Sequence, residues 1–231
     1  MDQPVAIVTG AGRGIGRAVA IRLSELKYRL ALVSRTGKEL EETARQCGGE
    51  AAVISADISL PQQVDEVVLR TLDRFRRVDV LVHCAGIALA RRADQMTVEE
   101  WRSTLDTNLS AMFYFTRLLW PVWKREGGGV LVNVSSFAGR DPFEGLGAYG
   151  AAKAGVNLLG LALSREGRSH NIRAHTVAPA ATETAMFRSL FPKGENPAER
   201  VLDPAEVARV IVQCINGDLT HTSGEVIYVH K

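Results

Sequence analysis

Val5-Ala6-Ile7-Val8-Thr9-Gly10-Ala11-Gly12-Arg13-Gly14-Ile15-Gly16 decides the fold of this chain. It opens on a short, unbroken apolar run, the pattern of a strand buried on both faces in a parallel sheet. The run passes directly into a glycine-rich turn, after which Ile15, Val19 and Leu23 repeat at helical spacing over 15–26. Glycines permit a tight turn and let phosphate oxygens approach the backbone at a helix N-terminus, whose free N–H groups favour anions. Gly10, Gly14 and Gly16 give GxxxGxG rather than GxGxxG, and Gly12 lies inside the same turn. The sequence holds no GxxxxGK(S/T) run, which disfavours a nucleoside triphosphatase.

Outward from this turn, apolar runs at 30–33, 52–54, 80–82, 130–134, 172–177 and 226–229 alternate with helical patterns at 38–47, 62–75, 98–124, 149–165 and 204–215. Such alternation predicts crossover connections and a doubly wound α/β fold of Rossmann type. It is read as a single domain over 1–231, with a mostly parallel sheet of seven strands flanked by helices on both faces. No Pro/Gly/Ser-rich linker divides it. The least regular region, 187–202, carries Pro192, Gly194 and Pro197 and is expected to be a substrate-binding loop. A flap over a site and a plain surface loop are both open readings.

At 231 residues, 46% hydrophobic and 23% charged, the chain is long enough for a well-buried α/β core. A net charge of +2 points to neither nucleic acid nor a membrane surface. Cys47, Cys84 and Cys214 are odd in number and widely spaced, without CxxC, which fits a reducing cytoplasm. Cys84 and Cys214 sit in apolar runs and are expected in the core. No secretory leader pattern or run of about 18 apolar residues is present. The five histidines show no metal-ligand spacing, and no metal is expected.

The second strand ends Leu32-Val33-Ser34-Arg35-Thr36. Ser34 falls about 20 residues after the glycine turn, where an acidic residue would take the ribose hydroxyls of NAD. With no carboxylate there, Arg35 adjacent and Arg13 in the turn, a 2′-phosphate is favoured, and NADP(H) is the expected cofactor. Asp57 follows the third strand, with two open readings: acceptor for the adenine amino group with Ile58 against the ring, or helix N-cap. Gly86, after Ala85 at the end of the fourth strand, would admit a close ligand. Asn108 stands within a helical run that does not favour it.

Chemistry concentrates at Ser135-Ser136 and Ala148-Tyr149-Gly150-Ala151-Ala152-Lys153. Tyr149 and Lys153, at i and i+4, share a helix face. A cation within about 4–6 Å favours the ionised phenol, so a pKa of about 10 would fall toward neutrality and suit general acid–base work. Ser136 ends an apolar strand and is placed to hydrogen-bond the same reacting oxygen. It lacks the GxSxG context of a hydrolase.

Together these residues resemble the short-chain dehydrogenase/reductase family over essentially the whole chain. The motifs are TGxxxGxG, Asp57, the xxAG element at His83-Cys84-Ala85-Gly86, Asn108, Ser136 and Tyr149-x-x-x-Lys153. The resemblance implies that Ser136 orients a carbonyl and Tyr149 donates the proton. It implies that Lys153 holds the nicotinamide ribose and lowers the tyrosine pKa, and that Asn108 positions a relay water. Pro179 through Thr184, with Thr182 between, would lie over the nicotinamide, with Thr184 near the carboxamide.

Three departures stand out. His83 and Cys84 replace the usual two asparagines, which puts hydrogen bonds steadying the sheet in doubt. Pro179-Ala180 replaces Pro-Gly. The usual glycine pair and apolar tail after the last strand are missing, so a dimer stays open beside the homotetramer that the resemblance implies.

The expected activity is reduction of a ketone to a secondary alcohol. TGAGRGIG, Asn108-Leu109-Ser110 and VAPAATET are most similar to 3-oxoacyl-(acyl-carrier-protein) reductases, which implies a small carbonyl substrate carried on acyl carrier protein. Lys124, Arg125, Arg165 and Arg168 are candidates to meet such a carrier near the cleft. Oxidation of another alcohol, such as a sugar or steroid, and a catalytically silent NADP(H)-binding regulator are the alternatives.

Overall fold

The structure, a computed structural model, describes residues 3–192 and 198–231. Its strands are β1 (Val5–Thr9), β2 (Arg29–Ser34), β3 (Ala51–Ser55), β4 (Val80–His83), β5 (Gly129–Val134), β6 (Ile172–Pro179) and β7 (Val226–Val229). The α-helices are α1 (Gly14–Glu25), α2 (Gly37–Gln46), α3 (Pro61–Phe75), α4 (Val98–Leu105), α5 (Ala111–Glu126), α6 (Gly147–Gly167), α7 (Ala185–Leu190) and α8 (Pro204–Asn216). The strands form one parallel sheet in the order β3-β2-β1-β4-β5-β6-β7. This is the Rossmann-type architecture expected from the alternation.

The central strands are covered on both faces, so their sequences are mainly apolar, with Asn133 in β5 and His175 and Thr176 in β6 as buried polar exceptions. In β1, Val5 and Ile7 pack with α3, α5 and α6, whereas Ala6 and Val8 pack with α1, α2 and α8. Close approach of turn to helix requires glycine at position 16, where a Cβ would stand 2.3 Å from the Gly10 carbonyl oxygen. Side chains from neighbouring helices brace the turn. Thr43 Oγ1 donates to Ala11 O at 2.9 Å, and the Arg17 guanidinium donates to Gly12 O and to Thr43 Oγ1.

Three local expectations need correction. The helical run 98–124 is not one regular helix. Residues Asp106–Ser110 form a π-helical turn between α4 and α5, centred on Asn108. Asp57 is not a helix N-cap: Leu60 is the N-cap of α3, with Pro61 at its first position. Asp57 Oδ1 instead closes a tight turn by accepting from Ser59 N and Oγ, at 3.0 and 2.7 Å. Finally, 187–202 is not wholly irregular. It begins inside α7, which Thr184 caps by accepting from Phe187 N at 3.1 Å. The segment returns where Leu202 N donates to Ala181 O and Glu183 N donates to Leu202 O, both at 2.8 Å. Gly194 and Pro197 lie outside the described residues.

Trp123, fully buried at the end of α5, donates from Nε1 to the Val78 carbonyl at 3.0 Å and so ties the helix to the approach of β4. Trp123→Phe removes that buried donor and should cost about 1–3 kcal/mol. A lower urea midpoint with unchanged m-value is expected; an unshifted midpoint would show that the bond contributes nothing.

Candidate active site

In a doubly wound sheet, ligands bind outside the carboxyl ends of the strands where the strand order reverses. Here that point lies between β1 and β4. A cleft of about 590 Å³ opens there, lined by the ends of β1 to β6. The structure brings to it the glycine turn with Arg13 and Ile15, then Ser34 and Arg35, Asp57 and Ile58, and Ala85 and Gly86. Ser136, Tyr149, Lys153, Pro179, Thr182 and Thr184 line its other side.

One end is built for an anion. The N-cap of α1 is Arg13, with no side-chain cap and no acidic residue in the first turn, so the helix's leading N–H groups are left for a ligand. This fits the phosphates of a dinucleotide. Glu39, which the sequence reading missed, lines the same recess and lies 3.8 Å from Arg13. Its position in the helical pattern of α2 gave no sign that it turns toward the glycine turn.

The other end holds the polar set. Lys153, only 3% exposed, donates from Nζ to Val134 O at 2.8 Å. Ser135 Oγ donates back to Lys153 O at 3.2 Å, so α6 and the end of β5 hold each other in register. Burial lowers the lysine pKa to about 8. The ammonium lies 5.6 Å from the centroid of the Tyr149 ring. Burial raises the Tyr149 pKa above its usual value, while a hydrogen bond with Ser136 pulls it down. The expected lowering by Lys153 is therefore not what the chain alone produces: burial outweighs the hydrogen bond that favours the phenolate. Ser136 Oγ accepts from Ala138 N at 3.1 Å, and its O–H is the donor toward Tyr149 in the bond that favours the phenolate.

Asn108 does not line the cleft but lies fully buried behind Gly86. Its Nδ2 donates to the carbonyls of Ile87 and Thr104, each at 2.8 Å, while Oδ1 has no partner. A Cβ at position 86 would stand 2.5 Å from that oxygen and 3.6 Å from Lys153 Nζ, so only glycine lets the two groups face one space. The π turn supplies the aim, as π-bulges often do at functional sites.

His83 answers the doubt over the missing asparagine. Ala85 N donates to Thr9 Oγ1 at 3.1 Å, so the Thr9 hydroxyl is free to donate to His83 Nδ1, 3.3 Å away. The Asn108 backbone also interacts with the ring, although Nε2 makes no hydrogen bond of good geometry. Cys84 is not a core residue as expected: it is half-buried and lines the cleft, with its thiol pushed up to about 12 by burial. Cys214 is buried as expected. Lys124, Arg125, Arg165 and Arg168 are exposed near the C-terminal ends of α5 and α6, which lead into the starts of β5 and β6. That is the sheet edge opposite the cleft, so they do not flank its mouth. The sequence reading also missed Phe143 and Leu146, which line the cleft from the β5–α6 loop.

A dinucleotide crevice joined to a Ser–Tyr–Lys set defines an oxidoreductase that works with a nicotinamide cofactor. The chain belongs to the short chain dehydrogenase family, which it matches over residues 4–195. It is 29% identical to a 3-oxoacyl-(acyl-carrier-protein) reductase of Vibrio cholerae, across 100% of this chain and 97% of that one. It is 32% identical to the Synechocystis protein of the same description, across 91% and 88%. Among solved structures it is similar to levodione reductase, with a TM-score of 0.92 and 27% identity over 100% and 97% of the two chains. A 3-ketoacyl-(acyl-carrier-protein) reductase from Brucella melitensis complexed with NADH matches with a TM-score of 0.92 and 29% identity, over 99% and 97%.

Burial holds His83 neutral with a pKa of about 3, and His175 with one of about 4. Their unfolded pKa is about 6.5, so below that pH the unfolded chain binds protons the folded one refuses, and stability falls on acidification. His83→Asn keeps a polar partner for Thr9 but cannot titrate. Its urea midpoint should fall less steeply than the parent's between pH 6.5 and 4; an identical slope would remove His83 from this effect.

Proposed function

We propose that the protein is an NADP(H)-dependent reductase that converts a ketone to a secondary alcohol, with 3-oxoacyl thioesters, free or on acyl carrier protein, as its substrates. The observation that carries this reading is the convergence of Ser136, Tyr149 and Lys153 at the catalytic end of the cleft. When bound, the nicotinamide supplies the hydride equivalent that the carbonyl carbon receives.

The side chains do the rest. Ser136 turns its O–H from Tyr149 to the carbonyl oxygen and holds that oxygen beside the phenol. Tyr149, kept protonated by burial, gives its proton to that oxygen as negative charge develops there. Lys153 stabilises the phenolate left behind and holds the nicotinamide ribose. The unpartnered Asn108 Oδ1 accepts from a water that returns a proton by way of Lys153.

Support for NADP(H) comes from Ser34 and Arg35 at the end of β2, with Arg13 opposite. Because Glu39 engages Arg13, Arg35 carries most of the discrimination. Self-association as a homotetramer or dimer is supported by Phe113 on α5 and Leu158 on α6, large apolar residues exposed on the outer helices. The similarity to the Vibrio and Synechocystis reductases supports the substrate class.

Tyr149→Phe should lower kcat by about 10²–10⁴-fold while NADPH still binds; near-normal turnover of an acetoacetyl thioester would overturn the role. Arg35→Asp should move the kcat/KM preference from NADPH toward NADH, and an unchanged ratio would take Arg35 out of phosphate recognition. Reduction needs the protonated pair. Its kcat/KM should be level near neutrality and decline as pH rises through about 8, where Lys153 loses its charge. A rate that climbs through that range would contradict the assignment.

A further inference from the structure

The catalytic end of the cleft is walled by aromatic rings from two separate segments. Phe143 comes from the loop between β5 and α6, and Phe187 and Phe191 come from α7 and its end. The rings run in one stack. Phe143 and Phe191 have centroids 5.4 Å apart, and Phe191 and Phe187 5.2 Å. Leu146 and Leu190 extend the same lining. Aromatic pairs at these separations attract beyond their area burial, so the stack binds the loop to α7.

Phe143 nevertheless leaves 68% of its surface exposed, although it faces a cleft. A large apolar side chain held open at a concave site marks contact with a ligand. The charges lining the cleft lie elsewhere or have the wrong sign for an anion. Arg13 and Arg35 belong to the glycine-turn end, Lys153 is buried behind Tyr149 with one bond to Val134, and Asp141 stands on the same loop as Phe143. The Arg188 guanidinium, 5.1 Å from the Phe187 ring centroid, is held by Glu183, so a carboxylate or phosphate on the substrate arm would meet Asp141, and a polyhydroxylated arm would lose its hydrogen bonds to water against the rings.

We infer that the stack of Phe143, Phe187 and Phe191 is the specificity wall of the site, and that it selects ketones bearing an extended, uncharged apolar arm beside the carbonyl. This rests on the reductase reading for its catalytic half only; the binding half stands on the cleft itself. The wall favours medium acyl chains over an acetoacetyl group, and disfavours ketoses and free keto acids. Each methylene that reaches the rings leaves water, and a pocket of this kind discriminates by about tenfold or more per methylene.

The test compares the N-acetylcysteamine thioesters of 3-oxobutanoate and 3-oxooctanoate by NADPH consumption. In parallel, calorimetry on NADPH-saturated protein measures binding of the two corresponding 3-hydroxyacyl thioesters. The parent should prefer the longer arm by at least about tenfold in kcat/KM and in affinity. Phe143→Ala should reduce both ratios at least about fivefold, and Phe143→Leu should hold an intermediate value; retained NADPH affinity shows that the variants are folded. Equal affinity of the parent for short and long arms, or ratios unmoved by Phe143→Ala, would overturn the proposal. Selective binding without turnover of either ketone would leave the wall standing and sink the reductase reading instead.

Discussion

A buried ammonium sets the terms for the end of the cleft that holds Ser136 and Tyr149. Lys153 has almost no contact with solvent, and such a charge is costly unless the protein satisfies it. Its Nζ donates to the carbonyl that ends β5, and the next residue, Ser135, reaches back to the lysine's own carbonyl. These two bonds cross between strand end and helix in opposite directions, so neither element can slide without breaking both. Tyr149, one turn earlier on α6, inherits that position. The helix can come so close because its inner face is small. A Cβ at Gly160 would stand 2.4 Å from Thr176 Oγ1 in β6.

The two ends of the cleft use opposite electrostatic devices. The glycine-turn end presents backbone N–H groups and guanidinium groups near the surface, where a ligand's phosphates replace water at little cost. The catalytic end withdraws its charge from water, which lowers the Lys153 pKa and raises that of Tyr149. Burial thus moves the lysine and the phenol each toward its uncharged form, and two pKa values that lie close together in water are driven apart. Gly86 marks the seam between these ends. Behind it the π turn aims an unpartnered amide oxygen at the space that Lys153 also faces.

The His83 substitution shows how a fold absorbs a change in a motif. Thr9 sits at the end of β1 and position 83 at the end of β4, and the two residues are paired across the sheet. The threonine hydroxyl accepts from Ala85 N and shares a second hydrogen bond with an imidazole that burial keeps neutral. The strand ends at the switch point are thereby fixed by side chains as well as by the ladder.

Much of this was written in the order of residues. Apolar runs alternating with helical repeats point to a parallel sheet with both faces covered, since strands buried on both faces have no side to show to water. Glycine spacing after the first strand marks the phosphate end, and the i, i+4 relation of Tyr149 and Lys153 follows from helix geometry alone. What a one-dimensional reading could not reach depended on which distant groups share a space. Glu39 beside Arg13 and the aromatic stack of Phe143 with α7 arise between segments far apart in the chain, while the π turn around Asn108 and the turn that Asp57 closes are local features to which helical periodicity is blind. Nor could adjacency in sequence give the sign of the Tyr149 shift. That was decided by how deeply the helix is buried, and burial is a property of the packed molecule.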